Sequence, residues 1–272
     1  MKLSFSTNAF RRFSLLETLD ILAEIGYQGV EIMADIPHAW PPLPREQVDA
    51  IGDRLRQRQL AVANINAFMT HAIGDTWHPS WIEDDPDYRR QRVDHTGRAI
   101  ELAAALGCPT ISTEPGGPPA AKSGEEALAL FRAGLATVQP LAKALGVRVL
   151  IEPEPELLIE NSRQFLSFIE TVDQSVFGLN FDIGHFFCVG EDPAALIRQL
   201  APWLGHVHLE DIAADRRHHH LLPGRGAIEF APIFAALADI GYQGFVTIEL
   251  YPYEDKPVEA ARAAYAAILP YL

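Results

Sequence analysis

Cysteine is nearly absent: Cys108 and Cys188 are the only two in 272 residues. Two thiols make neither a disulfide framework nor a four-cysteine zinc site, and they read as buried thiols in a reducing compartment. Basic charge is also short, with 22 Lys and Arg against 36 Asp and Glu, a formal net charge of −14 and a pI near 5.1. A surface of that sign repels phosphate backbones, so no nucleic-acid partner is expected. No apolar run approaches the ~18 residues of a membrane-spanning helix, so no membrane association is expected. The opening Met1-Lys2-Leu3-Ser4-Phe5 lacks the apolar core of a signal peptide, which makes the cytoplasm the expected location. A Gly-x-Gly-x-x-Gly turn after the first strand is missing too, and this weighs against a doubly wound nucleotide-binding sheet.

What is present is an ordinary globular composition, 48% hydrophobic and 21% charged. Short β-branched or aromatic runs predict strands at residues 3–7, 29–33, 61–66, 110–114, 148–152, 178–182, 206–209 and 245–250. Leu, Ile, Ala and Phe at three- and four-residue spacing predict helices over 14–25, 45–57, 88–106, 125–145, 162–171, 193–200, 231–240 and 257–268. Eight strands alternate with eight helices, at about 34 residues per unit. The segments Gly26-Tyr27-Gln28-Gly29 and Gly241-Tyr242-Gln243-Gly244 echo one another as turns between a helix and the next strand. With no linker or composition break, the α/β pattern predicts a single (β/α)8 TIM barrel spanning residues 1–272. The longest loop, about residues 68–86, carries His71, Trp77, His78 and Trp81 and is expected either to cap a substrate or to pack its own tryptophans.

The late strands end in ionisable residues, at the end where barrels build their sites. Leu150 and Glu152, Asn180 and Asp182, His206 and His208, and Thr247 and Glu249 are two apart and share a face. If the second member of each pair faces the barrel axis, Glu152, Asp182, His208 and Glu249 meet at one point. Three crowded carboxylates need a counter-charge, and a divalent cation supplies it. Imidazole with carboxylates suits Mn²⁺ or Zn²⁺ best, with Co²⁺ or Mg²⁺ as alternatives. His185, His218, His220, Arg217, Arg225 and His71 lie in loops over the same end and are candidates for further metal or substrate contacts. His38, His78 and His95 are read as structural. Two glutamates in such a site suit proton transfer at a carbon beside a carbonyl, with Glu152 and Glu249 as the acid–base pair.

The segments Phe181-Asp182-Ile183-Gly184-His185, Val207-His208-Leu209-Glu210-Asp211 and Pro223-Gly224-Arg225-Gly226, the last leading into Ile228-Glu229-Phe230, resemble the xylose isomerase-like TIM-barrel superfamily. That group includes sugar phosphate isomerases and epimerases, ketose 3-epimerases, inosose and dehydroshikimate dehydratases, and endonuclease IV. The resemblance covers essentially the whole chain, and with Glu152 and Glu249 these segments reproduce the Glu/Asp/His/Glu metal set of the group. It implies carbohydrate metabolism: a metal-dependent isomerase or epimerase of a sugar, sugar phosphate or polyol, working through an enediolate on a small-molecule substrate. A lyase that dehydrates a keto-inositol is the near alternative. One departure is Glu152-Pro153-Glu154-Pro155-Glu156, where ketose 3-epimerases have Asn-Arg-aromatic-Glu after the glutamate; Glu156 falls on the last position of that segment. Another is Glu114 before Pro115-Gly116, where endonuclease IV has a histidine. With His185, His218 and His220, Glu114 is a candidate ligand of a second or third metal, which would favour a multi-metal phosphoesterase. A homo-oligomer is compatible with all of these readings.

Overall fold

A computed structural model describes residues 1–75 and 77–272. Eight parallel strands close into a barrel in sequence order: β1 (Lys2–Ser6), β2 (Gly29–Met33), β3 (Ala61–Asn66), β4 (Thr110–Thr113), β5 (Arg148–Ile151), β6 (Phe177–Asp182), β7 (Leu204–Leu209) and β8 (Phe245–Ile248). The helices are α1 (Leu15–Ile25), α2 (Arg45–Arg58), α3 (Pro86–Ala105), α4 (Gly124–Leu145), α5 (Ser162–Ile169), α6 (Ile183–Cys188), α7 (Pro193–Leu200), α8 (Phe230–Asp239) and α9 (Pro257–Ile268). The fold is the TIM barrel that the alternating pattern predicts. No helix among the described residues is long and apolar enough to cross a membrane.

Local signals fix the ends of these elements. Ser14 and Ser123 cap α1 and α4 in reciprocal boxes with Glu17 and Glu126. Gly26 ends α1 at φ +114°, a conformation that costs glycine little. The outward faces of the strands pack under the helices, through residues such as Phe5, Val30, Ile65, Ile111, Val149, Phe181 and Val207, all fully buried.

The sequence pattern misses one helix and misplaces several strand ends. α6 is short, and it starts because Asp182 Oδ1 accepts a hydrogen bond from the His185 amide at 2.7 Å. Six residues are too few for a helical period to register. Strands β4, β5 and β8 stop at Thr113, Ile151 and Ile248, so Glu114, Glu152 and Glu249 lie just beyond the ladder. Cys108 is buried as expected; Cys188 is only half-buried and lines the cavity described below.

The barrel interior departs from the usual filling of branched apolar side chains. Ser4, Glu31, Asn64, Ser112, Asn180, His206 and Thr247 are fully or almost fully buried and are joined by hydrogen bonds or close polar contacts. Asn180, His206 and Thr247 are the first members of the pairs two apart, and they form the layer beneath the strand-end residues.

Candidate functional site

The C-terminal mouth of the barrel brings Glu152, Asp182, His208 and Glu249 together, each offering one ligand atom within 4.8 Å of the others. All four side chains are buried. The strand register sets part of this, because Asp182 on β6 pairs with His208 on β7. His208 Nδ1 lies 3.0 Å from Glu152 Oε1, 3.9 Å from Asp182 Oδ2 and 4.0 Å from Glu249 Oε2. Asn180 Nδ2 donates to Glu152 Oε2 at 2.6 Å and holds that carboxylate in place. Asp182 Oδ2 is buried with no hydrogen-bond partner.

Electrostatics follow from this crowding. Burial pushes Glu249 well above the usual carboxylate range; His208 pulls it back, and Glu152, Glu31 and Asp182 push it further up. Glu152 is raised for the same first reason. Burial disfavours the charged form of His208, but Glu152, Glu31 and Glu249 outweigh it, so its proton affinity is raised well above normal. His208 Nδ1 thus faces the three carboxylates at the point a cation would take. The donor set fits a divalent ion: one imidazole and three carboxylates, of which Asp182 has an unpartnered oxygen. Uptake of Zn²⁺ near pH 7 is expected to release protons from this cluster, so affinity falls as the solution is acidified. Calorimetric titration in two buffers of different ionisation enthalpy measures that release.

A second group lies beside the first. His185 Nε2 is 3.0 Å from His218 Nε2, and His218 Nε2 is 3.1 Å from His220 Nε2. His185 Nδ1 and His220 Nδ1 donate to the carbonyls of Pro153 and Glu249, each at 2.9 Å. Burial keeps these rings neutral and takes His185 and His218 down to about 3. The three imidazoles are also close enough to share an ion.

The other candidates divide. Glu156, Arg217 and His71 line the cavity from exposed positions. Arg225 is exposed in a turn whose amides at Gly224, Gly226 and Ile228 are held by the Asp211 carboxylate. Glu114 is placed differently from the sequence expectation. It accepts from the Gly116 and Trp81 amides and sits 3.6 Å from the buried guanidinium of Arg92, outside the ligand groups found among the described residues. In the long loop Trp81 is fully buried, with its indole N–H on Thr113 Oγ1, whereas Trp77 lines the cavity. Asp35 clamps this loop by accepting from the amides of Thr70, His71 and Ala72. His38 bonds the Phe10 carbonyl and His95 stacks on Trp40, as structural residues do.

Sequence reasoning missed three buried acids. Glu31, in the middle of β2, accepts from His208 Nε2 at 2.6 Å. Glu154 lines the cavity with one oxygen unpartnered, and Glu210 is buried with both oxygens unpartnered. Glu210 fills the space a Cβ at Gly184 would occupy, so only glycine fits there. A signal for Glu31 existed in Gly29-Val30-Glu31-Ile32-Met33, one charge inside an apolar strand.

The cavity above these groups is about 730 Å³, within the usual range for small-molecule sites. Its floor towards β5–β8 carries the carboxylates and imidazoles. Towards β1–β3 it presents the neutral Asn8, Met33 and Asn66.

Residues 19–269 match the sequence profile of the xylose isomerase-like TIM barrel family. The chain belongs to that family. Among its curated relatives, an inosose dehydratase of Clostridium beijerinckii is 29% identical over 158 residues, 52% of each chain, so the match spans about half of that relative. A 2-oxo-tetronate isomerase of Haemophilus influenzae is 27% identical over 252 residues, covering 90% of this chain and 91% of the relative. Solved structures agree in fold. A D-tagatose 3-epimerase-like protein superposes with a TM-score of 0.85 at 22% identity, covering 100% of this chain and 97% of its own. The IOLI protein with a bound zinc atom superposes at 0.83 and 19% identity, covering 100% and 98%.

Proposed function

We propose that this member of the family is a divalent-metal-dependent enzyme that moves a proton at a carbon beside a carbonyl of a sugar, sugar phosphate or polyol. The observation that carries the reading is the convergence of Glu152, Asp182, His208 and Glu249 on one buried point beneath the cavity. Those four residues would hold the ion, with Mn²⁺ or Zn²⁺ the expected occupant; zinc is the metal of the IOLI neighbour. When bound, the cation would supply Lewis-acid polarisation of a ketone and its adjacent hydroxyl and would offset the negative charge left by proton loss. Glu152 and Glu249 lie just past the ends of β5 and β8, on different sides of the barrel mouth. One removes the proton and the other returns it to the opposite face. Asn180 holds Glu152 for this task. Phe68 and Trp77, in the loop clamped by Asp35, line the cavity from the β3 side and limit water at the reacting carbon. Where the proton returns, and whether a hydroxyl leaves, decides between isomerase, epimerase and dehydratase. The relatives named inosose dehydratase and 2-oxo-tetronate isomerase agree with such a shared first step.

The three facing imidazoles favour a second reading, a multi-metal phosphoesterase. That reading loses Glu114, which is engaged by Arg92 and loop amides. Elemental analysis of the purified protein separates the two. About one ion per chain supports proton transfer, and two or three support phosphoester hydrolysis.

A further inference from the structure

We propose that Glu31 is the positioning residue that makes His208 a metal ligand, by fixing which ring nitrogen carries the proton. The inference rests on the four-residue metal site proposed above. Glu31 is fully buried inside the barrel, one layer below the ligands, where a carboxylate is costly unless it has a partner. Its Oε2 gathers every polar contact it has: His208 Nε2 at 2.6 Å, Asn64 Nδ2 at 2.9 Å and His206 Nε2 at 3.6 Å. Oε1 has no partner. Its strand neighbours Val30 and Ile32 point outward into the apolar core, so Glu31 turns the opposite way, into the barrel.

The two nitrogens of His208 thus face different groups. Nε2 faces Glu31 alone at bonding distance among the carboxylates, and Nδ1 faces Glu152, Asp182 and Glu249. An anion that can only accept keeps the hydrogen on Nε2, so the neutral ring presents its lone pair from Nδ1. A carboxylate behind a ligating imidazole also makes that imidazole a stronger donor. Asn64 anchors Glu31 in turn, donating to it and to Ser112 Oγ at 2.9 Å each. The same His206 nitrogen, Nε2, lies 2.7 Å from Thr247 Oγ1. The polar layer inside the barrel is therefore a support for one ligand, which explains why these positions are not Val, Ile or Leu.

The test uses Zn²⁺ as the probe on the metal-stripped 272-residue chain, with nitrogen NMR of the histidine rings. Wild type is expected to bind Zn²⁺ with His208 metallated at Nδ1 and protonated at Nε2. Glu31→Gln keeps the size and an accepting oxygen but removes the charge, and it is expected to weaken Zn²⁺ binding about 10–100-fold. Zn²⁺ bound equally well by Glu31→Gln would overturn the role of Glu31, as would a wild-type His208 metallated at Nε2. The wild-type spectrum decides the matter even if the variant does not fold. Failure of wild type to bind any Zn²⁺ would instead overturn the four-residue metal site.

Discussion

Glu249→Gln and Glu152→Gln are each expected to lower turnover about 10²–10⁴-fold at saturating metal, the usual contribution of a positioned acid or base. Glutamine keeps an oxygen donor at the mouth of the barrel, so metal binding weakens without vanishing. What it cannot do is accept or return a proton. The two variants should also differ from one another. With Glu249→Gln, Glu152 still exchanges the proton it faces, and one of the two substrate isomers gains deuterium from D₂O without net conversion. With Glu152→Gln the other isomer does so. Parallel loss of exchange for both isomers in both variants would show that the two carboxylates act only as ligands. The measurement is turnover beside exchange, on the same metal-loaded preparations.

Arg92→Met is expected to destabilise the fold by about 3–5 kcal/mol, because it strands a buried partner. Arg92 is fully buried on α3, with Nε donating to the Pro79 carbonyl and Nη1 to the Ala67 carbonyl, both at 2.9 Å. Its third neighbour is Glu114, whose carboxyl burial pushes upward while Arg92 and the amides of Gly116, Trp81 and Gly117 pull it back. One guanidinium thus ties the end of β3, the long loop and the end of β4 together. Methionine fills most of the volume and satisfies none of these groups. Urea unfolding of the variant measures the loss, and a change below about 1 kcal/mol would remove Arg92 from this role. Glu114→Gln, which keeps the amide contacts in part, should cost less than Arg92→Met.

Apolar strand runs alternating with helical spacing made the barrel legible in the sequence, and ionisable residues at the strand ends, two apart from a partner on the same face, made the four converging residues legible. Those signals are local, and the barrel turns them into one place: strands that pair side by side put Glu152, Asp182, His208 and Glu249 at the same height. What the sequence hid depends on distant partners. Glu114 follows a strand just as Glu152 does, but Arg92 arrives from the helix before it and engages it. Trp77 and Trp81 sit four apart in one loop, and only the fold decides that Trp81 is buried under α4 against Phe131 while Trp77 faces the cavity. Glu31 gave no end-of-strand signal, because it lies in the middle of β2 and meets His208 only across the barrel. His218 and His220 read as a loop run, and their meeting with His185 needs both α6 and the turn organised by Asp211.

The proposed role of a cation held by Glu152, Asp182, His208 and Glu249 is to enable proton removal beside a carbonyl. Deuterium uptake from D₂O, followed by mass spectrometry over a panel of ketoses, keto acids and keto-inositols, tests it most directly. Uptake is expected at the carbon next to the carbonyl of at least one compound, abolished by EDTA and restored by Mn²⁺ or Zn²⁺. Uptake that survives complete removal of metal, or no uptake from any compound by metal-loaded protein, would contradict it.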